Sequence, residues 1–178
     1  MIILGLDPSI EATGWGLIEK TDDEELEIEP WGNFRIISEG ERYVDSGVFA
    51  TNPKESFSRR LLSLYQSIRD FVNKRSLRVN AVAIERPFCG KNLSTALKLG
   101  EVLGVCKAAT KFDDGLLDGE YAPKMIKKIV TGSGNATKEQ VCKAVKEQLG
   151  ITEELTLDES DALAVALTHA RRMEEEDD

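Results

Sequence analysis

The run from Val79 to Ile84, V-N-A-V-A-I, is nearly all apolar, has the length of a strand, and stops at Glu85-Arg86-Pro87. A strand that is apolar toward both sides has to be covered on both sides, as strands are inside an α/β sheet. Its neighbours are suited to provide the cover. Between residues 56 and 74, Leu61, Leu62, Leu64, Tyr65, Ile68, Phe71 and Val72 recur at helical spacing with charges on the other face, which predicts an amphipathic helix. Residues 92–111 are predicted as a second helix.

Upstream, residues 2–6 and 13–18 read as a hairpin with a polar turn, and residues 43–50 as a third strand. The stretch 31–42 is either a further strand or a long hairpin loop, and Asn52-Pro53 ends this all-β opening. Downstream come a brief strand at 116–121, a short helix from Pro123 and a break at Gly132-Ser133-Gly134. A helix over 137–149 follows, opened by a capping box of Thr137 and Gln140, and a last helix runs from about 158 to 173. Three antiparallel strands followed by alternating helix and strand make an α/β fold on one mixed sheet flanked by helices. With 178 residues and 41% apolar content, the whole chain, 1–178, is expected to be one domain.

No apolar run approaches the roughly 18 residues of a membrane span, and residues 1–6 are too short for a secretory signal, so no membrane partner and a cytoplasmic location are expected. Cys89, Cys106 and Cys142 are far apart with no C-x-x-C pair, which argues against a disulfide framework or a zinc ribbon and for reduced thiols. The net charge of −9 disfavours a nucleic-acid partner at first sight. The excess is local, however. Six acids lie in the insertion 21–30 and five in the tail 174–178, expected to be flexible; without these eleven the −9 becomes +2. The remaining bases cluster. Arg86, Lys91, Lys98, Lys107 and Lys111 stand against Glu101 alone, and Lys124, Lys127, Lys128, Lys138, Lys143 and Lys146 against Glu139 alone. Scattered solvated lysines are the plainer explanation of that pattern.

Asp7 ends the first strand, Glu85 ends the apolar strand, and Asp158 and Asp161 open the last helix on one face. Each has an ordinary explanation: strand ends are solvated, and acids near a helix N-terminus gain from its dipole. The helix that follows, however, reads Ala162-Leu163-Ala164-Val165-Ala166-Leu167. Apolar nearly all round, it should lie on the sheet and bring its aspartates toward the strand ends. Four converging acids would repel one another unless cations shared the site. Hard oxygen donors select Mg²⁺ or Mn²⁺, and two such ions suit phosphodiester hydrolysis.

These residues resemble the RuvC family of Holliday-junction resolvases, whose fold is of the ribonuclease H type. The resemblance runs through I-L-G-L-D-P at 3–8 with T-G-W-G at 13–16, A-I-E-R-P-F at 83–88, and K-N-L-S-T-A-L-K-L-G at 91–100. It continues through V-T-G-S-G-N-A-T-K-E-Q-V at 130–141 and D-E-S-D-A-L-A-V-A-L-T-H at 158–169. It implies that Asp7, Glu85, Asp158 and Asp161 bind two Mg²⁺ ions, with Mn²⁺ able to substitute, and that Lys127 and Lys138 serve near the scissile phosphate. It implies that Phe88 stacks on a base near the crossover, and Arg86, Lys91 and Asn92 around it are expected DNA contacts. The implied activity is a paired nicking of four-way DNA junctions by a homodimer, with a branch-migration complex as a further partner if the source is bacterial. Other branched DNA, such as forks or three-way junctions, is an alternative substrate, and junction binding with weak catalysis an alternative function. An actin-like ATPase is disfavoured, since 178 residues cannot supply two lobes and no second Gly-rich phosphate loop follows.

Two departures from the family pattern bear on this. Ser9 stands where a glycine is usual, which puts the turn beside Asp7 in question, and residues 20–42 are longer and more acidic than the usual hairpin. His169 lies eight residues past Asp161, about 12 Å along a helix, too far to share its metal, and is expected to be a packed or surface residue. Ala96, Gly100, Gly104 and Ala108 form a stripe of small residues that suits close helix packing, either within the chain or across a two-fold dimer.

Overall fold

The computed structural model describes residues 1–21, 25–28, 34–37, 40–74, 79–87, 92–110 and 117–177. In chain order these form β1 (Ile2–Asp7), β2 (Ala12–Thr21), β3 (Glu25–Ile28), β4 (Phe34–Ile37), β5 (Gly40–Ala50), α1 (Phe57–Lys74) and β6 (Ala81–Glu85). Then follow α2 (Leu93–Thr110), β7 (Leu117–Tyr121), α3 (Pro123–Thr131), α4 (Lys138–Leu149) and α5 (Leu157–Asp177). The main sheet has the order β5-β2-β1-β6-β7. Strand β2 runs antiparallel to β1 and β5, whereas β6 runs parallel to β1 and β7. Of the two readings of residues 31–42 the structure has the strand, β4, which pairs with an unpredicted strand of the acidic segment, β3, as a small antiparallel sheet of their own. Residues 174–177, expected to be a flexible tail, continue α5. None of the described helices is long and apolar enough to cross a membrane.

Alternation along the strands sorts the core into two layers. Ile2, Leu4, Leu6, Val82 and Ile84 face α1 and α2, where Leu64, Ile68, Val102 and Cys106 are buried against them. Burial pushes the Cys106 thiol up to about 12, which keeps it an inert core thiol. On the other face Ile3, Ala81 and Ala83 meet the run from Leu163 to Leu167 of α5, with α3 and α4 behind it. This second face is lined by small residues, and α5 comes very close to it. A Cβ at Gly5 would lie 2.1 Å from the Ala162 carbonyl oxygen, one at Gly14 2.2 Å from that of Asp158, and one at Gly16 2.7 Å from the Leu163 side chain. The three glycines therefore form a seat that fixes how deeply the first two turns of α5 sit on the sheet.

Gly100 and Gly104 of α2 have no such partner among the described residues. Gly100, Gly104 and Ala108 are exposed, and a Cβ at Gly100 or Gly104 would meet nothing within 4 Å. Packing against the described residues does not explain why those positions are glycine.

Candidate active site

Asp7 and Glu85 are the last residues of adjacent parallel strands. Since Leu6 aligns with Ile84, the two carboxylates come one step later, side by side at the C-terminal edge and on the α5 face. Asp158 and Asp161 occupy the first turns of α5, with the Asp158 backbone directly over Gly14. The turn after Asp7 needs no glycine. Among the described residues every positive φ belongs to a glycine. Ser9 is held there by Thr13, whose Oγ1 donates to the Ser9 carbonyl (2.5 Å) and accepts from its N–H (3.2 Å).

Lys138 reaches the same place from α4. Gly132 ends α3 in the left-handed region at φ 78°, a conformation natural to glycine. Thr137 and Gln140 then form the expected capping box, with Lys138 as the first helical residue. Its Nζ donates to Asp161 Oδ2 at 2.5 Å, and this bond holds the ammonium above the ordinary lysine range. Lys127, on α3, donates to the Ala136 carbonyl at 2.7 Å. It thus braces the turn that presents Lys138, and its charge is felt at Glu85.

The field in the cluster is strongly negative. Burial first, then the charges of Asp7 and Asp161, push the Glu85 carboxyl up to about 8, against the pull of Lys138 and Lys127. Burial and then Asp161 raise Asp7 to about 6, with Asp158 adding to the rise and Lys138 opposing it. Among the described residues no three His, Cys, Asp or Glu side chains stand at metal-ligand spacing; the four carboxylates meet through their charges. An all-oxygen donor set in which half-buried acids resist ionisation is chemically suited to hard divalent cations.

These shifts predict a pH effect on the metal-free protein. A carboxyl whose pKa is raised by folding stabilises the fold fully below its unfolded value, and that contribution is lost as the pH climbs through the folded value. Between about pH 5 and 9 in chelator, melting should therefore weaken by roughly 1–3 kcal/mol, the shifts being discounted for partial solvent screening. Glu85→Gln should remove most of the part lost near pH 8. Melting curves of the two proteins that ran parallel from pH 6 to 9 would refute this.

The remaining predicted residues are spread more widely. Phe88 and Lys91 lie outside the described residues. Asn92 caps α2, its Oδ1 accepting from the Thr95 N–H at 3.2 Å. The Arg86 side chain pairs with Glu120 (3.6 Å), which also pairs with Lys107 on α2. Glu120 aligns with Ile84, so these charges gather on the sheet face away from Glu85. His169 is packed: it is buried and shares a 2.7 Å hydrogen bond between its Nδ1 and the Tyr121 hydroxyl. Sequence reasoning missed the glycine seat and both partners on β7. The one signal for the seat was the recurrence of glycine at positions 5, 14 and 16 in a chain whose last helix is rich in alanine.

Comparison with known proteins finds a family and a fold that nearly the whole chain shares. The family described as crossover junction endodeoxyribonuclease RuvC matches residues 3–169. Relatives of that name include one from Geobacter sulfurreducens, 36% identical over 96% of this chain and 92% of its own length. Another, from Chromohalobacter salexigens, is 37% identical over 95% and 80%. Among solved structures, Thermus thermophilus RuvC superposes with a TM-score of 0.72 at 30% identity, covering 98% of this chain and 97% of that one. The same protein in complex with Holliday junction substrate gives 0.73 at 28% identity, with 97% and 96% covered.

Proposed function

Because the chain belongs to the RuvC family of crossover junction endodeoxyribonucleases, we propose that it resolves four-way DNA junctions in the cytoplasm, as a homodimer, by divalent-cation-dependent phosphodiester hydrolysis. The observation that carries this reading is the meeting of carboxylates from two parallel strand ends and from the start of α5, with Lys138 bonded to one of them. Asp7, Glu85, Asp158 and Asp161 would hold two Mg²⁺ ions, or Mn²⁺ in their place. The chemistry such a pair supplies when bound is activation of a water and stabilisation of the leaving oxygen. Lys138 keeps its proton and sets a positive charge where negative charge grows on the attacked phosphate. Lys127 holds the turn in front of it. Arg86, Phe88, Lys91 and Asn92 supply contacts to the DNA, with Phe88 stacking on a base at the crossover.

The test is incubation with synthetic four-way, three-way and linear DNA, with and without Mg²⁺. Paired nicks confined to four-way DNA and dependent on Mg²⁺ are expected. Preferential cutting of three-way DNA would shift the substrate, and tight junction binding without cutting would refute the enzyme. Phe88→Ala should bind junctions but cut them poorly, since base stacking is worth about 1–3 kcal/mol; a core role would instead appear as a fall in melting temperature.

Support for the homodimer comes from α2. Leu93 (72% exposed) and Leu97 (61%) continue the line of Gly100 and Gly104 at helical spacing, an apolar, closely approachable face. Leu97→Lys should yield a monomer by sedimentation. A variant that remains dimeric would place the interface elsewhere.

A further inference from the structure

The pair of Tyr121 and His169 has no part in the chemistry described so far, yet it lies beside it. Tyr121 is the register partner of Glu85. Aligned residues on neighbouring parallel strands project from the same face, about 4.8 Å apart. The Arg86 N–H donates to the Tyr121 carbonyl at 2.8 Å, carrying the ladder one step beyond Glu85. On the α5 face the Tyr121 hydroxyl reaches His169 Nδ1 at 2.7 Å, and His169 lies on the same helix as Asp158 and Asp161.

A closed path therefore runs from Glu85 across the ladder to Tyr121, through one hydrogen bond to His169, and back along a rigid helix to the two aspartates. Strand β7 is the edge of the sheet, and this bond ties that edge to α5. The strand also makes room for it. A Cβ at Gly119 would lie 2.6 Å from the Tyr121 hydroxyl and 2.7 Å from His169 Nδ1, so a glycine, costly inside a strand, leaves the space the pair fills. On the opposite face Glu120 binds Lys107 and Arg86, so the end of β7 is gripped from both sides.

We propose that Tyr121 and His169 act together as positioning residues that set Glu85 against Asp158 and Asp161, and thereby set the affinity of the four carboxylates for divalent cations. The proposal rests on reading those carboxylates as the cutting site. Two measurements test it: Mn²⁺ binding to the protein without DNA, followed by calorimetry, and single-turnover cutting of a synthetic four-way junction over a range of Mg²⁺ concentrations. Tyr121→Phe removes one oxygen. It should raise both midpoint concentrations about 10- to 100-fold, the usual cost of losing a group that orients metal ligands. Saturating Mg²⁺ should restore most of the rate, and junction affinity should stay within about twofold. His169→Leu should give the same shift, and the double variant no more than either single one, because both break one link.

Midpoints unchanged in Tyr121→Phe would overturn the proposal, whether or not its melting temperature falls. So would shifts that add in the double variant. Asp7→Asn separates the two levels. If it cuts normally, the reading of the site has failed; if it is inactive while Tyr121→Phe matches wild type, only the tether has failed.

Discussion

Asp7→Asn, Glu85→Gln, Asp158→Asn and Asp161→Asn are each expected to lower junction cutting by at least about a hundredfold, the scale of losing one preorganised electrostatic group, while junction affinity stays within about threefold. The two quantities separate because they have different sources. On the proposed reading, cutting needs all four oxygen donors, whereas affinity rests on the lysines and on phosphate contacts, which these changes leave in place. Loss of folding would mimic the first effect, and for two of the variants the site predicts the opposite. Asp7 and Glu85 are raised to about 6 and about 8, so the metal-free fold prefers them neutral, and Asn or Gln there should hold or raise the melting temperature above pH 8. A stable Glu85→Gln protein that cuts at near the wild-type rate in Mg²⁺ would refute the assignment.

Gly5→Ala and Gly14→Ala should be nearly as damaging, for a reason of packing rather than charge. The added methyl carbon would lie 2.1 Å from the Ala162 carbonyl oxygen in the first case and 2.2 Å from that of Asp158 in the second. Both obstacles are helix backbone, which cannot rotate aside like a side chain, so α5 must lift or β1 and β2 must bend. Overpacking of this kind costs roughly 3 kcal/mol, at the upper end of its usual range. The two variants should also differ from each other. Lifting α5 at Gly14 moves Asp158 itself, so Gly14→Ala should lose more cutting than its loss of stability accounts for, even when assayed well below its melting temperature. Chemical denaturation beside single-turnover cutting measures both. A Gly14→Ala protein with wild-type stability would show that the helix does not rest on the sheet in this way.

The elements of the fold and the four carboxylates were legible in the sequence because both are written locally. A strand-length apolar run and a period-3.6 pattern mark β6 and α1 within a few residues, Thr137 and Gln140 announce α4, and each acid stands where an element begins or ends. Their convergence could be argued from one further fact, the apolar run after Asp161 that obliges α5 to lie on the sheet. What the tertiary structure decided are contacts between residues remote in sequence whose types carry no local signal. Nothing around Gly5 and Gly14 showed that α5, some 150 residues later, is set against them. Nothing near Arg86 in the sequence announced Glu120 and Lys107 as its neighbours, and nothing near His169 announced Tyr121 on β7. The reason is common to all of these. Periodicity reports which way a side chain faces, but the closeness of two surfaces, and the partner that a buried polar atom finds, depend on residues that only the completed fold brings together.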